Sequence, residues 1–276
     1  MRKALKIGLI ALAAIGIGAL IWFTLLYHDN DIKKVTVNDS YFTAQIISQV
    51  QKEITEGSSF NDVMRSYNTM LQEVGDAAYL ENISTSEADT CRKLLAYGYA
   101  PKLISYAEEC FKKSEWNVRV IDTLRHEAQN LIDAGTLPSD SHNLPDLRYI
   151  VKTVNDYHAA VAATQVGGIT TVAAARAAIT RADSFKRAPL TNCRSLISAL
   201  NAVPDKVKST LANNIASACQ HSHGANIASL IARIDEYERT FGSNSLLSQQ
   251  RRQLLEITQA RNRATQDEYD EDDYNE

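Results

Sequence analysis

Residues 116–132, WNVRVIDTLRHEAQNLI, carry apolar side chains at the spacing of one face of an α-helix. The apolar positions recur every three or four residues, as Val120, Ile121, Leu124, Ala128 and Leu131. The stretch ends shortly before Gly135 and Pro138, which are typical helix stop signals. It therefore predicts an amphipathic helix with one buried face.

The same spacing recurs along most of the chain. A first stripe consists of Phe42, Ile46, Ile47, Val50 and Ile54, and a late one of Leu230, Ile231, Ile234, Tyr237 and Phe241. Further segments with helical spacing are 61–74, 87–97, 101–113, 147–164, 171–186, 193–202, 205–218 and 246–264. Pro101, Pro189 and Pro204 fall at the breaks between them. Because Gly and Pro are also scarce, the sequence predicts an all-α multi-helix bundle and excludes an all-β fold.

An alanine-rich stretch covers residues 146–182 and is interrupted by Gly167 and Gly168. Small side chains let helices approach closely, so the stretch predicts a helical hairpin that turns at the glycine pair. Such a hairpin would pack as an antiparallel coiled coil. The apolar positions of the last helix, 246–264, either complete this bundle or face another chain, and the sequence leaves both alternatives open.

A long apolar run lies near the N-terminus. Ile7 to Leu26 contains no charged residue, and at about 1.5 Å per residue it crosses a hydrocarbon core of roughly 30 Å. Trp22 and Tyr27 fall near the outer interface, where amphipathic rings are favoured. Basic residues precede the run, so the positive-inside rule places the N-terminus in the cytoplasm. We predict a single-pass protein of the plasma (inner) membrane with its C-terminal domain on the extracytoplasmic side.

A cleaved signal peptide is the alternative interpretation of this run. Signal peptides have an apolar region of about 7 to 15 residues, followed by a cleavage site with small residues. The run here is longer, and residues 24–27 (TLLY) offer no such site. The sequence therefore favours a retained anchor.

All four cysteines follow the apolar run, in two sequence-local pairs. An even number of cysteines beyond a membrane segment is typical of a disulfide framework in an oxidising compartment. Three connectivities are open, and proximity favours bridges within each pair, each bracketing a helical hairpin. Loops of this size make each bridge worth about 3 kcal/mol. The predicted bridges are Cys91 to Cys110 and Cys193 to Cys219.

Metal-binding patterns are weak in this sequence. No paired Cys-x-x-Cys spacing occurs, and zinc sites usually need it. Cys219, His221 and His223 form a short cluster, which we interpret as a disulfide beside two surface histidines. No metal is predicted.

Charge and composition predict the domain boundaries. The net charge of −4 is uneven, because residues 266–276 (QDEYDEDDYNE) carry seven acids and no base. The rest of the chain, with 29 basic and 26 acidic residues, carries +3. The polar stretch 135–145 (GTLPSDSHNLP) separates two helical modules. The predicted order is a cytoplasmic N-terminus (1–6), a transmembrane anchor (7–27), a juxtamembrane linker (28–38), module 1 (39–138), module 2 (139–265) and a disordered acidic tail (266–276).

The two modules share a short sequence similarity. Residues 90–95 (TCRKLL) resemble residues 192–197 (NCRSLI), and Pro101 and Pro204 follow at similar distances. This pattern suggests an internal duplication. The alternative is that any two helical hairpins stapled by cysteines look alike, and the sequence does not decide between the two.

The sequence lacks the common motifs of catalytic sites. The chain has no Gly-x-Ser-x-Gly elbow, no Walker loop and no Cys-x-x-Cys redox pair. His126 and Glu127 begin like the His-Glu-x-x-His motif of zinc hydrolases, but Asn130 replaces the second histidine. The sequence therefore predicts a protein that is not an enzyme and uses no cofactor.

The remaining function classes are binding classes. A near-neutral body behind a membrane argues against a nucleic-acid partner. We predict an interaction or scaffold component of the cell envelope with a protein partner, of open oligomeric state. The alternative is a helical domain that binds or senses a small molecule in an apolar pocket. Its candidate lining residues are Tyr97, Tyr99, Tyr106, Trp116 and Tyr157.

Overall fold

The computed structural model describes residues 41–56, 59–221 and 226–272, and every regular element in these ranges is a helix. The predicted all-α class is confirmed for this part of the chain. The predicted N-terminus (1–6), anchor (7–27) and linker (28–38) lie outside it, and so do Ile7, Trp22, Leu26 and Tyr27. Among the described helices, none combines the length and the apolar character that a bilayer crossing requires.

The chain forms two compact units, one up to Asn155 and one from Asp156 onward. The division falls inside a helix, Asn143–Ala163, whereas the sequence placed it between residues 138 and 139. The polar stretch 135–145 thus lies within the first unit.

The described part of the first unit starts with α1 (Tyr41–Gln49), which continues directly as a π-helical segment (Val50–Thr55). It then contains α2 (Phe60–Tyr79), α3 (Thr85–Lys112), α4 (Val118–Asp133) and the first part of α5 (Asn143–Ala163). Four residues of the predicted first stripe are at most 7% exposed, namely Ile46, Ile47, Val50 and Ile54, whereas Phe42 is partly exposed.

Helix α3 is the centre of the first unit and packs against α1, the π segment, α2 and α4. Its residues 94–100, LLAYGYA, are all buried. A helix that is apolar on every side is stable only when neighbours cover every side. This stretch therefore explains why α3, and not one of the amphipathic helices, is central.

Helix α3 is one helix where the sequence predicted two, 87–97 and 101–113. Pro101 lies inside it, so the predicted break at this residue is wrong. A proline in a helix interior removes one backbone hydrogen bond and costs about 3 kcal/mol. The flanking Ala100 and Leu103 are fully buried. We attribute the continuity to this packing, which offsets the cost.

Helix α4 follows the prediction from residues 116–132 closely. The Asn117 side chain caps its start by accepting from the backbone N–H groups of Arg119 and Val120. Gly135, with a φ of 62°, follows its end. The predicted stripe faces the core, with Ile121, Leu124, Ala128 and Leu131 at most 2% exposed.

The second unit is built around α8 (Val203–Gln220), which packs against all the other complete helices of this unit. These are α6 (Val172–Ser184), α7 (Arg194–Asn201), α9 (Ile227–Phe241) and α10 (Ser245–Asp272), with a short 3-10 turn at Leu190–Asn192. Pro204 lies in the first turn of α8, as predicted. Val203, Val207 and Leu211 are fully buried.

The glycine pair Gly167 and Gly168 does not form the predicted tight hairpin turn. It lies in a link, residues 164–171, between α5 and α6. Asn214 of α8 donates to the Ile169 carbonyl (2.6 Å), and Arg233 of α9 donates to the Thr170 carbonyl (3.1 Å). These bonds tie the link to α8 and α9, and α6 packs on the same two helices.

The two segments with similar sequence have different surroundings. Cys91 lies within the long helix α3, whereas Cys193 is the residue that precedes α7. The proline that follows is inside a helix in the first unit and starts a helix in the second.

Candidate functional site: an exposed apolar turn and the core beneath it

The predicted bridge between Cys91 and Cys110 is wrong. Both cysteines lie on helix α3, nineteen positions apart, which corresponds to about 28 Å along a helix. A disulfide requires Cα atoms within about 7 Å of each other. The pair therefore does not bracket a hairpin, and both residues are thiols.

The second predicted bridge is also not formed, because Cys193 and Cys219 are likewise thiols and both are buried. Cys193 Sγ lies 3.5 Å from Ser195 Oγ. Burial raises the pKa of the Cys219 thiol, partly offset by the positive charge of Arg233. The described residues hold no group of three metal-binding side chains, and His223 lies outside them.

Cys91 belongs to a small buried cluster between α1 and α3. Thr43 Oγ1 donates to Glu87 Oε1 at 3.3 Å and lies 3.7 Å from Cys91 Sγ. Thr43 and Cys91 are fully buried. Burial is the main cause that raises the pKa of the Cys91 thiol. The cluster fastens α1 to α3 and keeps this cysteine protonated and unreactive at neutral pH.

A second buried cluster joins three helices of the first unit. Tyr99 on α3 donates its hydroxyl to Glu127 Oε2 on α4 at 3.1 Å. The ring of Tyr99 stacks on Tyr67 of α2, with ring centroids 4.1 Å apart and 12° between the planes. Tyr99 is fully buried, and Tyr67 and Glu127 are each 8% exposed. The three side chains therefore fix the relative positions of α2, α3 and α4.

The electrostatics of this cluster follow from its burial. Burial, and then the charge of Glu127, raise the pKa of Tyr67 to about 12. The same two causes and the hydrogen bond to Glu127 raise the pKa of Tyr99. Both tyrosines thus stay neutral, and Tyr99 can act as the donor that a buried carboxylate requires.

Glu127 was not predicted as a core residue, although its spacing along α4 indicates a buried position. Glu127 lies three residues after Leu124 and four before Leu131, so it falls on the apolar stripe of α4. A charged residue at such a position needs a buried partner. The partner is Tyr99 on another helix, and the spacing of residues along the chain does not predict that the two side chains meet.

Four of the five aromatic residues proposed for a ligand pocket are buried, and Tyr106 is partly exposed. Trp116 lies against Phe111 (centroids 5.0 Å) and donates Nε1–H to the Lys113 carbonyl, and Tyr106 contacts Phe60. Tyr97 and Tyr157 are also buried. The described part of the chain does contain an open groove of 720 Å³ in the second unit. It is lined by Thr164, Gln165, Val166, Asp205, Lys206, Ser209 and Thr210, and none of the five predicted aromatics is among them.

The most exposed large apolar side chains of the described residues are neighbours. Tyr79 is 86% exposed and Leu80 is 65% exposed. They lie at the C-terminal end of α2, in the connection to α3. We call this pair the Tyr79–Leu80 turn. It places two apolar side chains side by side in solvent.

The backbone of the turn is tightly hydrogen-bonded. The N–H of Asn82 donates to the Ala77 carbonyl (2.9 Å), and the N–H of Glu81 donates to the Ala78 carbonyl (3.2 Å). Glu81 has a φ of 57°, in the left-handed region. This is the Schellman arrangement of a helix C-terminus, with a glutamate where glycine is usual.

The residues after the turn anchor it to the core. Ile83 is buried at 9% exposure. Ser84 Oγ caps α3 by accepting from the N–H of Glu87. The backbone of the turn is thus fixed at the end of α2 and at the start of α3, so the positions from which its exposed side chains project are set.

Sequence analysis did not find this turn, since it ended the helix at residue 74, whereas α2 continues to Tyr79. The buried stripe of α2 is Val63, Tyr67, Met70, Val74 and Ala77. Tyr79 does not fall on that stripe, so the spacing of apolar residues in α2 predicts that Tyr79 is exposed. Leu80 has no such signal, because its spacing from Ala77 also fits a buried position.

Comparisons with protein-family models, with curated proteins and with solved structures find no match to this chain. The Tyr79–Leu80 turn combines two exposed apolar side chains with a hydrogen-bonded backbone. This combination is suited to contact with the surface of another protein.

Proposed function

We propose that the protein is a non-catalytic interaction or scaffold component of the cell envelope. Residues 7–27 anchor it in the plasma (inner) membrane, and both helical units lie on the extracytoplasmic side. The observation that carries the interaction role is the Tyr79–Leu80 turn, which offers a protein partner two exposed apolar side chains on a hydrogen-bonded backbone.

The energetics favour a docking role for this turn. Fully burying a side chain of this size contributes about 1.5 to 3 kcal/mol relative to leaving it in water. Aromatic side chains dominate the energy of many protein interfaces. Because the backbone hydrogen bonds and Ile83 already fix the backbone of the turn, that backbone loses little conformational entropy when a partner binds.

The charges near the turn indicate the kind of partner. Glu73, Asp76 and Glu81 are exposed in the same part of the chain, at the end of α2 and in the turn itself. Complementary charge around an apolar contact speeds association and excludes other partners. The proposed partner therefore has an apolar depression with a basic rim.

The membrane part of the proposal rests on the sequence of the N-terminal segment. The uncharged run from Ile7 to Leu26 follows basic residues, which supports the cytoplasmic N-terminus. Disulfide bonds do not support the extracytoplasmic location, because Cys91 and Cys110 lie far apart on one helix and all four cysteines are thiols.

Site-specific photo-crosslinking in the native membrane tests the interaction role. A photoreactive amino acid is placed at Leu80, and at Tyr149 as a control, since Tyr149 is 48% exposed in the same unit. We expect a discrete protein adduct from position 80 alone. An identical adduct from position 149, or no adduct from position 80, would contradict the proposal.

A matched pair of variants strengthens this test. In Leu80→Asp the apolar contact is lost, so recovery of the partner on the purified chain should fall by about tenfold or more. Tyr149→Asp adds the same charge at another exposed site and should leave recovery unchanged. Equal losses in both variants would indicate a general effect of charge.

A further inference from the structure

The open groove of the second unit lies between the link 164–171 and the start of α8. One wall consists of the first residues of the link, and the other of residues in the first turns of α8. Its volume of 720 Å³ falls within the range of about 300 to 1,000 Å³ that is typical of ligand sites in proteins. The groove is therefore large enough to hold a ligand, and it is open on one side.

Hydrogen bonds fix the link on both sides of its middle part. The N–H of Gln165 donates to the Ala162 carbonyl at 3.1 Å, at the end of α5. Further along, Asn214 Nδ2 on α8 donates to the Ile169 carbonyl at 2.6 Å. Because this wall is already held in place, little conformational entropy is lost in the wall when a ligand binds.

The backbone between these two points is unpaired. Within the described ranges, no N–H or C=O group of Val166, Gly167 or Gly168 has a hydrogen-bond partner. Both glycines are exposed, and a Cβ atom added to either would meet no atom of another part of the chain within 4 Å. Another backbone can therefore approach this stretch closely.

The wall formed by α8 offers charges of both signs. Asp205 and Lys206 are exposed neighbours on this wall, and neither forms an ion pair with another described residue. Adjacent residues of a helix do not face each other. Each charge is thus available to a group of opposite charge on a ligand.

The other lining side chains favour a ligand with amide groups. Gln165, Ser209 and Thr210 can each donate and accept hydrogen bonds. The lining contains no aromatic residue, so a flat aromatic ligand has no ring to stack on. A polypeptide segment supplies amide donors and acceptors at regular intervals together with side chains of either charge.

We propose that this groove binds a linear peptide segment of a partner protein. The main chain of the peptide pairs with the unpaired backbone of residues 166–168, which is how an added peptide strand gains affinity from main-chain groups. An acidic side chain of the peptide lies beside Lys206, and a basic one lies beside Asp205. The side chains of Ser209 and Thr210 form the floor on which the peptide rests.

This site lies in the second unit and goes beyond the proposed docking role of the Tyr79–Leu80 turn in the first. The two sites share no residue, so the two proposals fail separately. Leu80→Asp should leave peptide binding by the groove unchanged, and blocking the groove should leave crosslinking from position 80 unchanged.

Selection of random linear peptides displayed on phage, with the purified full chain in detergent as the target, tests the proposal. We expect enriched peptides whose binding falls by about tenfold or more in Ser209→Trp, because the large ring fills the groove. Ser217→Trp is the matched control, since Ser217 is exposed on the same helix outside the lining, and it should leave binding unchanged. Failure to enrich any peptide, or equal losses in both variants, would overturn the proposal.

Charge reversal then tests the pairing with Lys206. Lys206→Glu should weaken the binding of the selected peptides by about fivefold, and exchange of their acidic residue for lysine should restore it. Lys208→Glu makes the same change outside the lining and should have no effect. Undiminished binding to Lys206→Glu would contradict the assigned orientation of the peptide in the groove.

Discussion

Glu81 is a single residue that sets the shape of the docking turn. Its φ of 57° costs an L-residue about 1 to 2 kcal/mol, a cost that glycine avoids. Part of that gain is lost through the greater freedom of glycine in the unfolded chain. We therefore expect Glu81→Gly to raise the free energy of unfolding by about 0.5 to 1 kcal/mol in denaturant titrations.

Glu81→Ala is the matched control for this prediction. It removes the same charge but keeps the left-handed strain, so stability should not rise. An equal gain in both variants would mean that charge, and not backbone conformation, causes the effect.

Tyr67 makes stability depend on pH in the alkaline range. Its pKa is raised from 10.0 in the unfolded chain to about 12 by burial and the charge of Glu127. Between these values the unfolded chain loses the proton first, so the unfolded state is favoured as pH rises. The stabilisation is complete below pH 10 and should decline from pH 10 towards 12.

Comparison with Tyr67→Phe isolates this contribution from that of other groups. The free energy of unfolding of the variant should fall less steeply over the same pH range. Parallel curves for the two proteins would show that Tyr67 ionises equally in both states, in conflict with its buried stack on Tyr99.

At the level of secondary-structure elements, the length of α3 keeps Cys91 and Cys110 too far apart to form a disulfide. Because one helix separates Cys91 and Cys110, neither forms a bridge with the other. Cys91 is fully buried, whereas Cys110 is half-buried. Alkylation of the folded protein should therefore label Cys110 before Cys91.

Peptide mapping after unfolding without reductant completes this test. Both cysteines should then react with the alkylating reagent. A peptide pair linked through Cys91 and Cys110 would contradict the continuity of α3.

Helix positions could be predicted from sequence because apolar spacing reports burial within one element. The segments 205–218 and 171–186, for example, correspond to α8 and α6. Pro101 misled the prediction, since local propensity favours a break there while packing from three sides favours continuity. The bridge between Cys91 and Cys110, inferred from their proximity in sequence, failed because both lie on one continuous helix, along which distance grows with every residue.

The site was harder to predict than the helices. Glu127 and Tyr99 meet only because α3 and α4 pack together, and no spacing along the chain encodes that contact. The exposure of Leu80 likewise depends on where α2 ends. Residue type and the spacing of apolar residues predict the buried face of a single helix. A binding surface, in contrast, is formed by residues of several helices and the turns between them.

At the scale of the whole molecule, each of the two units has its own central helix. The first unit presents the Tyr79–Leu80 turn as the proposed contact for a protein partner. A chain that is anchored at one end and presents such a contact fits a scaffold role. That role also requires the units to lie on the side of the membrane where the partner lies.

We propose that residues 7–27 anchor the chain with both units outside the cytoplasm. Protease applied to sealed, right-side-out vesicles of the native membrane tests this topology, with an antibody against the 266–276 tail as the probe. We expect the tail to be lost without detergent, while the vesicles retain a small N-terminal fragment. Survival of the tail until detergent is added, or recovery of the intact chain in the soluble fraction, would contradict it.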